Sequence, residues 1–335
     1  MAGTHYVTAA DGVGWILSKP THNRLLALTR LSLENGESVT ALLDGEAEYT
    51  PQVPVLAADG DGHLWFMHGR QILRIDEDGG AIRRWDLPQP AADASPSDED
   101  WGAGAAGGNA WDPHTNSLLF VRVSDHRLYR FDPGSGTFDT VADLPMITHS
   151  LSRVSQGPDG SIAINGAHRE GNAYSRAAVV IPAAGGEPQL LMGILSICVG
   201  PLGSLTLDEA GSVRLGDRLL GAVEFTPYTD VPFNCDADGN AFTVGRVISL
   251  DGSEAHIAVY RFSSDGGVST ATLPLTFLPG TNPHDGSPMN TWSGPSQETL
   301  LPDGQGGVWL VNMDGTIDIP EMDDSPFSTL MRIRF

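Results

Sequence analysis

Basic charge, sulfur and long apolar runs are all scarce in this chain, and each shortage removes a class of protein. Only 19 Lys and Arg stand against 42 Asp and Glu, a net charge of −23 spread over the whole length. Such a surface repels phosphate backbones and anionic bilayers, so neither nucleic acid nor a membrane is expected as a partner. The two cysteines, Cys198 and Cys235, cannot build a disulfide framework. Both lie in apolar segments and are expected to be reduced and buried. The longest greasy run, Leu190 to Leu202, is interrupted by Gly193, Ser196, Gly200 and Pro201 and is too short to cross a bilayer. The first residues, MAGTHYVT, lack the basic start and apolar centre of a signal peptide, although a removed signal would leave the same start. A soluble cytoplasmic protein, monomeric by default, is the expectation.

Long amphipathic segments are missing too, as is any low-complexity linker, so the 335 residues are expected to form one all-β domain over 1–335 rather than two halves. What fills the chain instead is repetition. A short apolar stretch, a DG turn, an aromatic or β-branched strand and further strand–turn units recur at intervals of roughly 35 to 50 residues, the period of a β-propeller. The clearest copies are VLAADGDGHLWF at 55–66 and LLPDGQGGVWL at 300–310. In the repeat at 52–88 the strands fall at 53–58, 64–68, 72–76 and 81–87, separated by glycine turns suited to positive φ. Counterparts follow at 5–46, 105–145, 147–192, 194–227, 231–277 and 296–335, the 194–227 copy being short. The reading is a single closed propeller of seven four-stranded blades, with six or eight as alternatives. The last repeat ends in its third strand, so its rim strand is absent or supplied from elsewhere, and closure by the two termini would remove exposed edges.

Two connections break the rhythm. Residues 88–104 and 277–295 are far longer than a turn needs, and both join a rim strand to the next channel-lining strand, on the face that holds the channel mouth. Polar residues on the channel-lining strands, where small apolar ones are usual, are His5, Tyr6, Asn109, His149, Ser150, Arg153, Asn234, Gln297 and Glu298. A ring of carboxylate, amide and imidazole suits a hard divalent cation such as Ca²⁺ or Mg²⁺, with Glu298, Asn109 and Asn234 as ligands and a histidine free to move a proton. His149 and His284 are the candidate bases. Asn109 and Asn234 read equally well as ladder-capping amides. DADGN at 236–240 alternates oxygen ligands like part of a calcium loop, yet it lacks the Glu at the twelfth position and reads as another turn. No GxSxG elbow, HExxH helix or CxxC pair is present, which argues against the common hydrolase and metalloprotease classes, and no nucleotide or organic cofactor is indicated.

On its DG-x-G-x-(L/V)-W-(F/L) copies the chain resembles the NHL-like and gluconolactonase-like (senescence marker protein) propellers and, among seven-bladed ones, the streptogramin (virginiamycin B) lyases. The first resemblance implies a divalent metal in the channel held by a first-blade Glu, Asn residues and an Asp; here the first inner strand carries His5 and Tyr6. The second implies histidines and a glutamate around Mg²⁺ near the channel mouth, parts that fall to His149, His284 and Glu298. Three functions are therefore in play. One is a lyase or hydrolase for a small lactone- or cyclic-ester-like molecule, with His5, Tyr6, Trp101, Trp111, Arg153 and Trp292 around the substrate. The second is a non-catalytic ligand- or sugar-binding module under a lid of Trp101, Trp111 and Trp292. The third is a protein-interaction scaffold.

Overall fold

A computed structural model describes residues 4–10, 12–19, 26–43, 56–68, 71–76, 82–88, 106–122, 125–146, 153–170, 173–183, 185–225, 231–249, 254–274, 276–281, 288–293, 295–314 and 329–335. Within each sheet, strands adjacent in sequence pair antiparallel. The result is six four-stranded sheets, a seventh of three strands, and a separate two-stranded hairpin. The innermost strands are Thr4–Ala10, Leu56–Ala58, Ala106–Asp112, Val154–Gln156, Ile194–Gly200, Phe233–Cys235 and Pro295–Pro302. Each touches the next, and the last returns to the first, so the sheets are the blades of a seven-bladed β-propeller. The short repeat is a full blade of four strands within 194–222.

Burial explains the sequence pattern. The second strand of blade three, Ser117–Arg122, is buried at every position because its sheet is covered on both faces. The rim strand Val268–Pro274 alternates strictly between exposed and half-buried. The apolar core is divided accordingly into seven clusters, one in each seam between adjacent blades. The seam between blades two and three is aromatic, with Trp65 stacked on Trp111 at 5.4 Å and edge-on to Phe131. That between blades four and five is thin, built on Ala163, Ala178, Ile197 and Val199.

Polar ties supplement these seams. The Val199 amide donates to Ser155 Oγ at 3.0 Å between blades four and five. Asn234 Nδ2 donates to the Leu300 carbonyl at 2.7 Å between blades six and seven. Between blades five and six the tie is covalent: Cys198 and Cys235 form a disulfide. The expectation of two reduced thiols is thus overturned. The cysteines are 37 positions apart in sequence, but they occupy inner strands of consecutive blades, which the ring brings to a Cα–Cα separation of 5.8 Å.

The ring closes by side chains. Blade one is built from 4–43 and blade seven from 295–333, with three strands among the described residues, so the described strands of the two ends do not share a sheet. Trp309 packs with Ile16, Leu31 and Leu33, and its indole nitrogen donates to the Leu33 carbonyl at 2.8 Å. Gly36, at φ +81°, lies against the same ring, where a Cβ would come within 2.6 Å of it. Trp309→Phe keeps the ring's bulk but strands that buried carbonyl, so thermal or urea unfolding is expected to show a loss of about 1–3 kcal/mol. An unchanged midpoint would remove Trp309 as the closing contact.

Candidate functional site

An up-and-down blade sends its first and third turns to one end of the channel, and its second turn and the crossing to the next blade to the other. The first end is occupied by repeated aspartates whose oxygens are already used. Asp59 Oδ1 accepts from the amides of Asp61 and His63, and Oδ2 accepts from the Trp65 indole at 2.8 Å. Asp236 Oδ1 accepts from the amides of Asp238 and Asn240, and Oδ2 accepts from Asn240 Nδ2 at 2.7 Å. DADGN is therefore a turn, as its missing Glu implied. Asp303 Oδ1 accepts from the Gln305 and Gly307 amides, while Arg332 grips Oδ2 through Nε and Nη2 at 2.9 and 2.7 Å.

A second regularity accompanies these turns. At one register position the third strand carries Arg30, Arg74, Arg130, Arg214, Arg261 and Arg332, six blades out of seven, with Val180 in blade four. Three of these arginines face a tryptophan on the second strand: Arg30 over Trp15, Arg74 over Trp65 and Arg332 over Trp309, all within 5.8 Å. Arg130 pairs with Asp112 and Arg332 with Asp303. In five of the six, all but Arg30 with Thr29 before it, the flanking residues make an apolar–Arg–apolar triplet legible in sequence, but the turn motif drew the reading away from it.

The other end carries the long insertions. The one at 277–295 is not an irregular loop: its flanks form a hairpin of Thr276–Thr281 with Pro288–Ser293. The one at 88–104 leaves blade two at Pro88, whose carbonyl accepts from Arg122 Nη2 at 3.0 Å. Arg122 also pairs with Asp125 at 3.4 Å, and the two side chains are 2% and 1% exposed. Tyr129 donates its hydroxyl to the same Asp125 oxygen, Oδ2, at 2.6 Å, and its ring lies under the Arg122 guanidinium. Burial and that hydrogen bond push the Tyr129 hydroxyl pKa above its ordinary value. The other oxygen, Asp125 Oδ1, is buried and has no hydrogen-bond partner among the described residues. His126, next along, takes φ +52°, a left-handed conformation shared among the described non-glycine residues only with Asn116. No motif marks this corner of blade three, and the sequence reading missed it.

The residues singled out from sequence fall on several elements. Trp101, His149 and His284 lie outside the described residues. His5 and Tyr6 stand on the first inner strand opposite Ser18 and Leu17, Trp292 on the insertion hairpin opposite Phe277, and Glu298 on the seventh inner strand opposite Asn312. Asn109 is buried on the third inner strand, opposite Phe120. Asn234 spends its amide nitrogen on blade seven, and the Arg153 amide donates to Asn165 Oδ1. Trp111 adjoins the turn at Asp112, in the aromatic seam, at the end of its strand remote from the 88–104 insertion. Among the described residues no three His, Cys, Asp or Glu side chains are gathered as a metal site.

No family model matches the chain, and no curated protein matches it by sequence. Among solved structures it is similar to the β-propeller domain of the trilobed protease from Pyrococcus furiosus (11% identity, 93% of this chain and 92% of that one, TM-score 0.47). It is also similar to a gluconolactonase from Xanthomonas campestris (14%, 93% and 96%, 0.45). A third is regucalcin, a calcium-binding protein from Agrobacterium tumefaciens (18%, 82% and 86%, 0.42).

The saturated turns give a pH signature. Burial pushes the Asp303 carboxyl up, but the Arg332 hydrogen bonds, with the Gln305 and Gly307 amides, outweigh it and hold the pKa below the ordinary 3.8. A folded-state pKa below the unfolded one gives stability that is full above pH 3.8 and is lost as pH falls through the folded value. Asp303→Asn is expected to cost about 1.5–3 kcal/mol near neutral pH. The gap from the parent should close in unfolding measurements below pH 4, and a gap independent of pH would contradict the ion pair.

Proposed function

We propose that this propeller is an enzyme, a hydrolase or lyase, acting on a small lactone- or cyclic-ester-like molecule at the channel mouth on the face that carries the two insertions. The observation that carries this reading is the carboxylate buried at the root of the 88–104 insertion, its side chain 1% exposed. At the turn face the repeated aspartates at 59, 236 and 303 are saturated by neighbouring amides, an indole and an arginine. On the insertion face Asp125 Oδ1 has no hydrogen-bond partner among the described residues; Asp76 Oδ1 on the turn face lacks a hydrogen bond too, but it lies 3.1 Å from the Arg74 guanidinium. A buried acceptor left unmatched is costly and is tolerated where function requires it.

In this reading His149 or His284 moves the proton. Glu298, with the side-chain oxygens of Asn109 and Asn234, offers the hard-oxygen set that a Ca²⁺ or Mg²⁺ ion takes. Such an ion, when bound, would polarise a carbonyl or acidify a water. Leu300 engages only the nitrogen of the Asn234 amide, so its oxygen remains for that role. His5, Tyr6, Arg153 and Trp292 would orient the substrate. Arg122 and Tyr129 hold Asp125 at the root of the 88–104 insertion.

The first test is thermal unfolding after EDTA, with Ca²⁺, Mg²⁺, Mn²⁺ and Zn²⁺ restored one at a time. A specific site stabilises the fold by mass action, about 2.7 kcal/mol at a hundred times Kd. An ion-selective rise that disappears in Glu298→Gln supports a metal-assisted enzyme, and lactones and cyclic esters are then the substrates to screen. With no response to any ion, the metal-assisted mechanism is wrong. Asp125→Asn provides an independent check on the neighbouring corner. It is expected to reduce turnover of a substrate found in that screen at least tenfold and, because it leaves the buried Arg122 charge unmatched, to lower the unfolding midpoint as well; unchanged turnover in the folded variant would remove Asp125 from the site.

A further inference from the structure

The disulfide between Cys198 and Cys235 has no counterpart elsewhere in the ring. Cys198 lies within the seven-residue inner strand of blade five, and Cys235 ends the three-residue inner strand of blade six. That short strand has only three register pairs to its own blade, at Phe233, Asn234 and Cys235. It is instead held sideways, by Asn234 to the Leu300 carbonyl of blade seven and by Cys235 to blade five. Cys198 is 3% exposed and shares the seam with Leu195, Leu205, Phe233 and Ala241, and Cys235 is half-buried against the same cluster. The chain has two cysteines in all, so no third thiol is at hand to exchange with the bond. These are the features of a permanent brace rather than of a redox centre, which needs an accessible, activated or resolving thiol.

A brace of this kind forms where an oxidant is supplied and is kept open where thiols are buffered by glutathione. We infer that the protein is made for an oxidising compartment, outside the reducing cytosol, and that the seam between blades five and six reaches full strength only there. This is the opposite of the compartment anticipated from the first residues. The chemistry is a two-electron exchange. A glutathione thiolate attacks one sulfur of the cystine to give a mixed disulfide, and a second glutathione releases it. Two protein thiols and one glutathione disulfide result.

The test compares the full chain produced in a reducing cytosol with the same chain produced in an oxidising compartment, by alkylation mass spectrometry of the unfolded protein and by thermal unfolding. The cytosolic product is expected to carry two free thiols and to unfold roughly 5–10 °C below the oxidised one, as expected for loss of a cross-link closing a loop of this length. It should recover that difference on oxidation with glutathione disulfide. Two results would overturn the inference. One is a cytosolic product that already carries the intact cystine; the other is a reduced form as stable as the oxidised. A Cys198→Ala, Cys235→Ala variant should match the reduced form. Should it fail to fold, titration of the oxidised wild-type chain with dithiothreitol reads the same difference without a substitution.

Discussion

The seam between neighbouring blades is the constraint on which the molecule depends. Each blade is buried on both faces, so no sheet has a core of its own, and the apolar clusters belong to pairs of blades. A ring of such pairs holds only if every seam holds. Where large side chains meet, as with Trp65, Trp111 and Phe131, dispersion and apolar burial suffice. Specific ties supplement such packing: Ser155 to Val199 across the alanine-lined seam, the cystine and Asn234 on either side of the inner strand Phe233–Cys235, and Trp309 where the last blade meets the first.

Those ties determine what is left for chemistry. The inner strands meet along the channel wall, so the polar groups best placed to line it are also best placed to bind the next blade. Asn234 does so with its amide nitrogen and Ser155 with its hydroxyl. The repeated aspartates, together with the third-strand arginines of several blades, are likewise committed to turns and strand ends. A feature present in most blades is structural by that fact, because seven copies of one local problem have one local solution. Departures from the repeat are the informative positions. They gather at the end where crossings between blades vary in length, with the Arg122, Asp125 and Tyr129 cluster at the root of one insertion.

This separates what the amino-acid sequence displayed from what it hid. Blade boundaries were legible because turns need glycine at positive φ and strands need alternation, and both recur at a fixed period; even the short repeat, 194–227, is a blade. The disulfide was hidden because proximity was judged along the chain. Cys198 pairs with Leu205 and Cys235 with Ala241, each on the inner strand close to the first turn of its blade. Equivalent places in consecutive repeats are neighbours in a propeller, and the pairing could have been read from that alone. Trp111 misled for the opposite reason. It follows the 88–104 insertion closely in sequence, but a seven-residue strand spans about 23 Å, which carries it to the other end of the channel. The Asp125 corner was unreadable because burial and an unpaired oxygen leave no trace in sequence.

Charge links the fold to the proposed reaction. Six of the 19 basic residues sit at one repeated strand position, where five pair with aspartates, bond to a turn side chain or stack on tryptophan and Arg214 bonds to the Asp217 carbonyl. Three of these arginines neutralise Asp76, Asp112 and Asp303 one for one, so the excess of 23 acidic residues persists in the remaining charges. The resulting negative potential penalises the approach of an anion and not that of a neutral ester or lactone. Opening such a ring turns a neutral molecule into a carboxylate at neutral pH. The field that admits the substrate then favours departure of the product, an asymmetry that a surface of balanced charge would not provide.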